Sequence, residues 1–120
     1  MSIEVHGLNK CDTCGKARKW LDRHGVDHRF IDYREVPVPP ATLKAWAEAV
    51  GGFDALVNRS STTWRNLAPS RKAPASAAEW TLLIREYPAL VKRPVLVTAD
   101  GSVHLGFNDK LYSGLFELRR

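Results

Sequence analysis

The first 33 residues alternate between strand-like and helix-like patterns, which limits the folds open to the chain. Ile3 and Val5 alternate with polar neighbours and predict a short strand. A helix follows, because apolar residues recur at three- and four-residue spacing from Ala17 until Gly25, where a left-handed cap would end it. Residues 26–33 are rich in β-branched and aromatic side chains and predict a second strand. Strand, helix and strand together predict a right-handed parallel βαβ unit.

The middle of the chain is predicted to be helical, and its end to be a hairpin followed by a helix. Between about residues 38 and 90, apolar side chains recur at helical spacing in two longer segments and two short turns. The dipeptide Asp100-Gly101 is a strong hairpin signal between two β-branched stretches, which are therefore expected to pair antiparallel. Asn108 is suited to cap a final helix.

These patterns predict an α/β protein with a βαβ-ββα core and a helical insertion, at about residues 38–90, between the second and third strands. A chain of 120 residues can bury a core without disulfide bonds or a structural metal. The sequence shows no internal repeat and no interdomain linker. We therefore expect one domain over residues 1–120, and a monomer.

The charge of the chain is basic but widely distributed. Its net charge of +5 could attract anions, nucleic acid or a membrane surface. The basic residues form no long run, and we interpret them as a solvated surface without direct nucleic-acid or membrane binding. Arg119 and Arg120 would lie at the end of the final helix, where positive charge is favoured. Because no apolar run approaches the roughly 20 residues that cross a bilayer, and no secretory signal is recognisable, we expect a cytoplasmic location.

Two cysteines, Cys11 and Cys14, lie between the first predicted strand and the first predicted helix. In a reducing compartment, this spacing in this position predicts thioredoxin-like redox chemistry. The thiolate is the attacking species, and an ordinary cysteine is only about 3% ionised at pH 7. Free N–H groups of Thr13 and Cys14 could stabilise the Cys11 thiolate, aided by the helix dipole.

A helix terminus alone is too weak to ionise Cys11 fully. Lowering a pKa by two units requires about 2.7 kcal/mol, whereas a helix terminus supplies about 2 kcal/mol at best. A nearby cation is therefore expected, and the candidates are Lys10, Arg59 and Arg93. Asp12 would act in the opposite direction, because its carboxylate disfavours a neighbouring thiolate.

Cys14 lies one helical turn after Cys11 and admits more than one interpretation. It could close a disulfide with Cys11 as the resolving thiol, or it could pack under the helix as a small apolar residue. The pair could also be half of a zinc site, but no other ligands occur at a suitable spacing. The histidines that would have to complete such a site are His6, His24, His28 and His104. We therefore predict no metal.

Several separate motifs resemble those of the arsenate-reductase-related (ArsC/Spx) family. They are Asn9-Lys10-Cys11-Asp12-Thr13, Lys16-Ala17-Arg18-Lys19-Trp20-Leu21, Leu56-Val57-Asn58-Arg59, Thr62-Thr63-Trp64-Arg65, Val91-Lys92-Arg93-Pro94-Val95-Leu96-Val97 and Gly106-Phe107. The resemblance covers nearly the whole chain. It implies a thioredoxin-like (glutaredoxin-like) fold, a nucleophilic Cys11 and a cis peptide bond between Arg93 and Pro94.

The resemblance also implies a function. Arsenate reductases of this family hold the oxyanion with three arginines, of which Arg59 and Arg93 match two, while Phe107 occupies the third position. The chain is most similar to a branch of glutathione-dependent thiol reductases, which implies glutathione as co-substrate and a small thiol or anionic substrate. The implied binding residues are Lys10, Thr13, Arg59, Arg93 and Pro94. The alternatives are an Spx-type redox-switched regulator that binds RNA polymerase, and a weak arsenate reductase.

Overall fold

The structure is a computed structural model that describes residues 3–116. In chain order its elements are β1 (Ile3–Gly7), α1 (Asp12–Arg23), β2 (His28–Asp32), α2 (Pro40–Val50), α3 (Phe53–Leu56), α4 (Thr62–Arg65), α5 (Ala77–Glu86), β3 (Val95–Val97), β4 (Val103–Leu105) and α6 (Asp109–Phe116). Short 3₁₀ turns flank α5. The predicted α/β class, with a βαβ unit, a helical segment and a ββα unit, is confirmed. The predicted roles of Arg119 and Arg120 lie outside the described residues.

Two compact units make up the chain. Of the described residues, the first unit contains 3–32 and 93–116, and the second contains Tyr33–Lys92. The second unit corresponds closely to the predicted helical insertion. That the chain behaves as a single domain stays a prediction. No helix within residues 3–116 is both long and apolar enough to cross a membrane.

The first unit is built on a four-stranded sheet with the order β2-β1-β3-β4. The strands β1 and β2 are parallel, as the βαβ prediction requires, and Val5 lies opposite Phe30. The strand β3 is antiparallel to both of its neighbours, β1 and β4. Leu96 in β3 lies opposite Val5 in β1 and opposite His104 in β4. The second strand is shorter than predicted, because pairing with β1 is limited to the five residues of β2.

The core of the first unit joins one face of α1 to the sheet and α6. Its buried members are Val5, Ala17, Trp20, Leu21, Leu96 and Tyr112. Those on α1 recur at the spacing that places side chains on one helical face. The helix α6 is fixed by the predicted cap, since the Leu111 N–H donates to Asn108 Oδ1 over 2.7 Å. It is also joined to α1, because the Trp20 indole N–H donates to the Asp109 carboxylate.

The second unit packs short helices around a small core of its own. Leu56 and Val91 are buried, and the Lys92 N–H donates to the Leu56 carbonyl over 2.9 Å. The Tyr33 hydroxyl donates to the Val91 carbonyl over 3.1 Å. The helix α2 ends at Gly51, whose φ of 100° is the left-handed conformation in which glycine is favoured. These contacts hold the ends of the unit together.

Candidate active site

Cys11 is the N-cap residue of α1. Its backbone is extended, with φ −132° and ψ 120°, and its carbonyl accepts the Gly15 N–H over 2.9 Å. An N-cap side chain normally provides an acceptor for one of the free N–H groups of the first helical turn. Here the acceptor is the Cys11 Sγ atom, which lies 3.5 Å from the Cys14 nitrogen. The predicted contact between the helix start and this sulfur is therefore present at Cys14.

Arg93 is the candidate cation that contacts Cys11, and its guanidinium donates a hydrogen bond to the sulfur. The sheet explains the contact. Because β3 runs antiparallel to β1, the start of β3 lies beside the end of β1, from which the chain leads to Cys11. Arg93 precedes β3, and its peptide bond with Pro94 is cis, as the resemblance implied.

The surroundings of Cys11 favour the thiolate. Partial burial alone would raise the pKa of the Cys11 thiol. The Cys14 N–H, the Cys14 thiol and the Arg93 guanidinium all stabilise the anion, and together they outweigh burial and lower the pKa below its ordinary value. Cys11 is also half-buried rather than sealed, so a reactant can reach it. A larger fraction of this sulfur is therefore the nucleophilic thiolate than in an ordinary cysteine.

The surroundings of Cys14, in contrast, disfavour its thiolate. It is only 1% exposed, and burial raises the pKa of its thiol to about 12. A hydrogen bond from the Leu8 N–H acts in the other direction but is outweighed, and the charge of Cys11 raises the pKa further. Both cysteines are free thiols. Cys14 is therefore protonated at neutral pH, and it donates its S–H hydrogen to Cys11.

Gly7 leaves room for Cys14, a role that the sequence analysis missed. A Cβ atom placed on Gly7 would lie 2.5 Å from the Cys14 Sγ atom, closer than two such atoms can approach. The signal that could have found this role is a glycine beside the Cys-x-x-Cys loop, since glycine in a strand often marks a close approach of another atom.

The remaining predicted site residues have different locations. Thr13 is half-buried in the first turn of α1, and Lys10 is exposed in the loop before it. Pro94 is buried, and its carbonyl accepts the Gly106 N–H over 2.9 Å. Arg59 belongs to the second unit, where its Nη1 atom lies 3.8 Å from Asp54 Oδ1. The binding roles of these four residues stay predictions.

Phe107 and Tyr112 pack together on the side of the first unit that holds α6. Their ring centroids are 4.7 Å apart with nearly perpendicular planes. Phe107 therefore has a packing role at the position where the resemblance expects a third arginine. Cys14 acts electrostatically on the Tyr112 hydroxyl. Sequence periodicity gave no signal for this, because it does not show which side chains the helix face meets.

The histidines have local partners. His6 Nε2 lies 2.9 Å from Glu4 Oε1, and His24 Nδ1 lies 2.8 Å from the Trp20 carbonyl oxygen. Within residues 3–116, no three histidine, cysteine or carboxylate side chains form a group that could hold a metal ion.

An ionisable sulfur at a helix start, beside an arginine in an α/β fold, is the arrangement of a thiol-based redox protein. The model of the ArsC family matches residues 6–115, and the chain belongs to this family. Its structural neighbours are ArsC-like proteins, which have the thioredoxin-like fold. The predicted family and fold are confirmed, and the family supports a thiol-based redox role.

Three known proteins illustrate the relationship. An uncharacterised protein of Haemophilus influenzae is 40% identical over 114 residues, which cover 95% of this chain and 98% of that protein. A solved structure of an arsenate-reductase-related protein from Brucella melitensis is 37% identical, with a TM-score of 0.74 and coverage of 98% and 97%. The global transcriptional regulator Spx of Streptococcus pneumoniae is 28% identical and is matched over 74% of its length by 82% of this chain.

Proposed function

We propose that this protein is a cytoplasmic thiol reductase in which Cys11 is the nucleophile and glutathione is the reductant. The observation that carries the proposal is the Cys11 sulfur itself. It accepts the Cys14 N–H at the start of α1 and a hydrogen bond from Arg93, and its pKa is lowered. These partners increase the thiolate fraction of Cys11, and the thiolate is the species that attacks a disulfide.

The first step is a thiol–disulfide exchange. The Cys11 thiolate attacks one sulfur of a substrate disulfide, the substrate S–S bond breaks, and the leaving sulfur departs as a thiolate that takes a proton from water. Cys11 is then joined to half of the substrate in a mixed disulfide. One glutathione thiolate attacks the Cys11 sulfur, the second half of the substrate leaves as a thiolate, and Cys11 is then joined to glutathione. A second glutathione thiolate attacks the glutathione sulfur of this mixed disulfide, which releases the Cys11 thiolate and oxidised glutathione, so two glutathione molecules supply the two electrons.

The proposed binding residues follow from charge. Glutathione has two carboxylates, and a guanidinium matches a carboxylate with two parallel N–H groups. Arg93, which already donates to the Cys11 sulfur, is proposed to hold a carboxylate near the reacting atom. A carboxylate-binding role for Arg59 is proposed from the resemblance to the family alone. Lys10, Thr13 and Pro94 are proposed to contact the glutathione backbone, as the resemblance to the family implies.

The state of Cys14 favours glutathione over an internal thiol as the first resolving group. With a pKa of about 12, roughly one Cys14 thiol in 10⁵ is ionised at pH 7. Its attack on Cys11 is therefore slow as long as the pKa of Cys14 stays this high. Formation of a mixed disulfide removes the charge of Cys11, which is one of the causes that raise the pKa of Cys14. Cys14 thus remains available as a slower, alternative resolving thiol.

Steady-state turnover tests the proposal. The substrate is a small mixed disulfide, with glutathione, glutathione reductase and NADPH to report the reaction. Cys11→Ser is expected to reduce turnover at least 100-fold, because an alcohol cannot replace the thiolate. Cys14→Ser is the matched control and is expected to retain most of the activity. Full activity of Cys11→Ser would remove Cys11 from the mechanism, and loss of activity in both variants would favour an obligatory internal disulfide.

A second candidate function is a redox-switched regulator that binds a subunit of RNA polymerase. It is favoured by the pair of free thiols one helical turn apart and by the similarity to the regulator Spx. Capture of purified RNA polymerase by the reduced and the oxidised protein distinguishes the two functions. Binding in only one redox state, without turnover, would support the regulator.

Arsenate reduction is the third candidate, and the packing of Phe107 argues against its efficiency. An aromatic ring held against Tyr112 cannot donate a hydrogen bond to an oxyanion. We therefore expect arsenate turnover far below that of disulfides in the same coupled assay. Arsenate turnover equal to that of disulfides would contradict the assignment.

A further inference from the structure

The hydroxyl of Tyr112 is an unusual group within the core of the first unit. Tyr112 is 0% exposed, and its hydroxyl has no hydrogen-bond partner among residues 3–116. Buried hydroxyl groups nearly always have a partner, because leaving one without a partner destabilises the fold. A phenylalanine would fill the same space without this cost. The oxygen atom therefore calls for an explanation other than packing.

Aromatic neighbours hold the Tyr112 ring in one orientation. Its centroid is 5.5 Å from that of Trp20 and 4.7 Å from that of Phe107, with both planes nearly perpendicular to its own. The ring of Phe116 lies 6.1 Å away. A ring packed on several sides cannot easily turn its hydroxyl toward solvent. The hydroxyl is therefore held in place within the core.

Cys14 belongs to the same region of the core. It is on the buried face of α1, three residues before Ala17 and seven before Leu21, both of which pack in the cluster that contains Tyr112. Charge on Cys14 raises the pKa of Tyr112 together with burial, so the two groups interact electrostatically. The sulfur also packs against Gly7, where an added Cβ atom would lie only 2.5 Å from it. The hydroxyl on which the charge of Cys14 acts thus has no acceptor among residues 3–116.

We propose that the Tyr112 hydroxyl donates a hydrogen bond to the Cys14 thiolate when Cys14 attacks Cys11, so that Tyr112 is a positioning residue for closure of the internal disulfide. This inference deepens the proposed function, since it concerns the resolving step at the same site. Tyr112 stays protonated throughout, because the loss of its own proton is opposed by burial. It would stabilise the sulfur anion without itself reacting.

The step can be written for a defined disulfide reagent. The Cys11 thiolate first displaces one thionitrobenzoate from dithiobis(nitrobenzoate) and forms a mixed disulfide. Cys14 then loses its proton to solvent and attacks the Cys11 sulfur, the mixed disulfide breaks, and a second thionitrobenzoate leaves as a thiolate. The two cysteines are oxidised by two electrons and the reagent is reduced by two. Release of thionitrobenzoate is coloured, so both phases can be followed.

The experiment compares the two phases in wild type and Tyr112→Phe at one pH and one equivalent of reagent. The first phase is expected to be unchanged, because it depends on Cys11. The second is expected to be about 10- to 100-fold slower, the effect of losing a hydrogen bond to a charged group. Tyr33→Phe is the matched control, since its hydroxyl already donates to the Val91 carbonyl in the second unit. Cys14→Ala should lack the second phase.

Two results would overturn the inference. An unchanged second phase in a folded Tyr112→Phe protein would exclude the hydrogen bond, and equal slowing of both phases would indicate a general packing effect. If Tyr112→Phe does not fold, a fluorotyrosine at position 112 provides the second test. Its hydroxyl is a stronger donor of the same shape, so the second phase should become faster, and an unchanged or slower phase would contradict the proposal. Neither measurement requires glutathione turnover, so each can succeed or fail independently of the proposed reductase activity.

Discussion

Cys11 caps the start of α1, and Cys14 lies in the buried first turn of the same helix. The surroundings of the two cysteines have opposite effects on the pKa of the thiol. At the loop end, Cys11 meets the Cys14 N–H and Arg93, and its pKa is lowered. One turn later, Cys14 is enclosed beneath β1, and burial raises its pKa to about 12. Identical side chains three residues apart thus differ in reactivity, because one is beside free donors and the other is removed from water.

The largest expected effect is a difference in alkylation rate between the two cysteines. The variants Cys14→Ala and Cys11→Ser each leave one thiol, and their rates with iodoacetamide at pH 8 are expected to differ at least 100-fold in favour of Cys11. As pH rises, the midpoint of the increase in the Cys11 rate should lie below that of an ordinary cysteine, because the pKa of Cys11 is lowered. The Cys14 rate should still be rising at pH 10, because burial, the largest cause of its raised pKa, remains in Cys11→Ser.

Unfolding provides the control for this comparison. In guanidinium chloride the two single-cysteine variants should react at nearly equal rates, since both thiols then have similar surroundings. Equal rates in the folded proteins would show that the surroundings of the two sulfurs do not differ as described.

The second prediction concerns the space that Cys14 occupies. Gly7→Ala would place a Cβ atom 2.5 Å from the Cys14 Sγ atom, so the core must shift. We expect the free energy of unfolding to fall by about 1–3 kcal/mol, the usual effect of overpacking. In Gly7→Ala/Cys14→Ala the sulfur is absent, and most of this loss should disappear relative to Cys14→Ala alone. Chemical denaturation of the four proteins measures the coupling.

Gly15→Ala is the matched control for this cycle. Gly15 lies in α1 next to Cys14, but a Cβ atom there meets no atom within 4 Å. This substitution should leave stability unchanged or raise it by up to about 1 kcal/mol, because alanine favours a helix over glycine. A Gly7→Ala protein as stable as wild type would show that Cys14 is not enclosed by β1.

The sequence was sufficient to predict those features of the fold and the candidate site that depend on residues close together in the chain. Cys11 at the N-cap follows from a strand, a loop and a helix in succession, and Asn108 as a cap follows from its residue type. The choice of Arg93 as the contacting cation depends on the pairing of β3 with β1, which are almost 90 residues apart in the chain. Neither the burial of Cys14 nor its relation to Tyr112 could be predicted, since both depend on which side chains meet in the core.

The third prediction tests whether Arg93 maintains the difference between the two sulfurs. Arg93→Gln removes the guanidinium but keeps a hydrogen-bond donor, so the pKa of Cys11 should rise and its alkylation rate at pH 7 should fall by about 10-fold, the effect of one pKa unit. Arg93→Lys keeps the charge without the planar donor group and should show a smaller decrease. Arg29→Gln is the control, because it removes the same charge from a residue that pairs with Glu4 instead. If Arg93→Gln and Arg29→Gln reacted alike, general charge would account for the reactivity, and the Cys14 N–H would be the principal specific partner of the Cys11 thiolate.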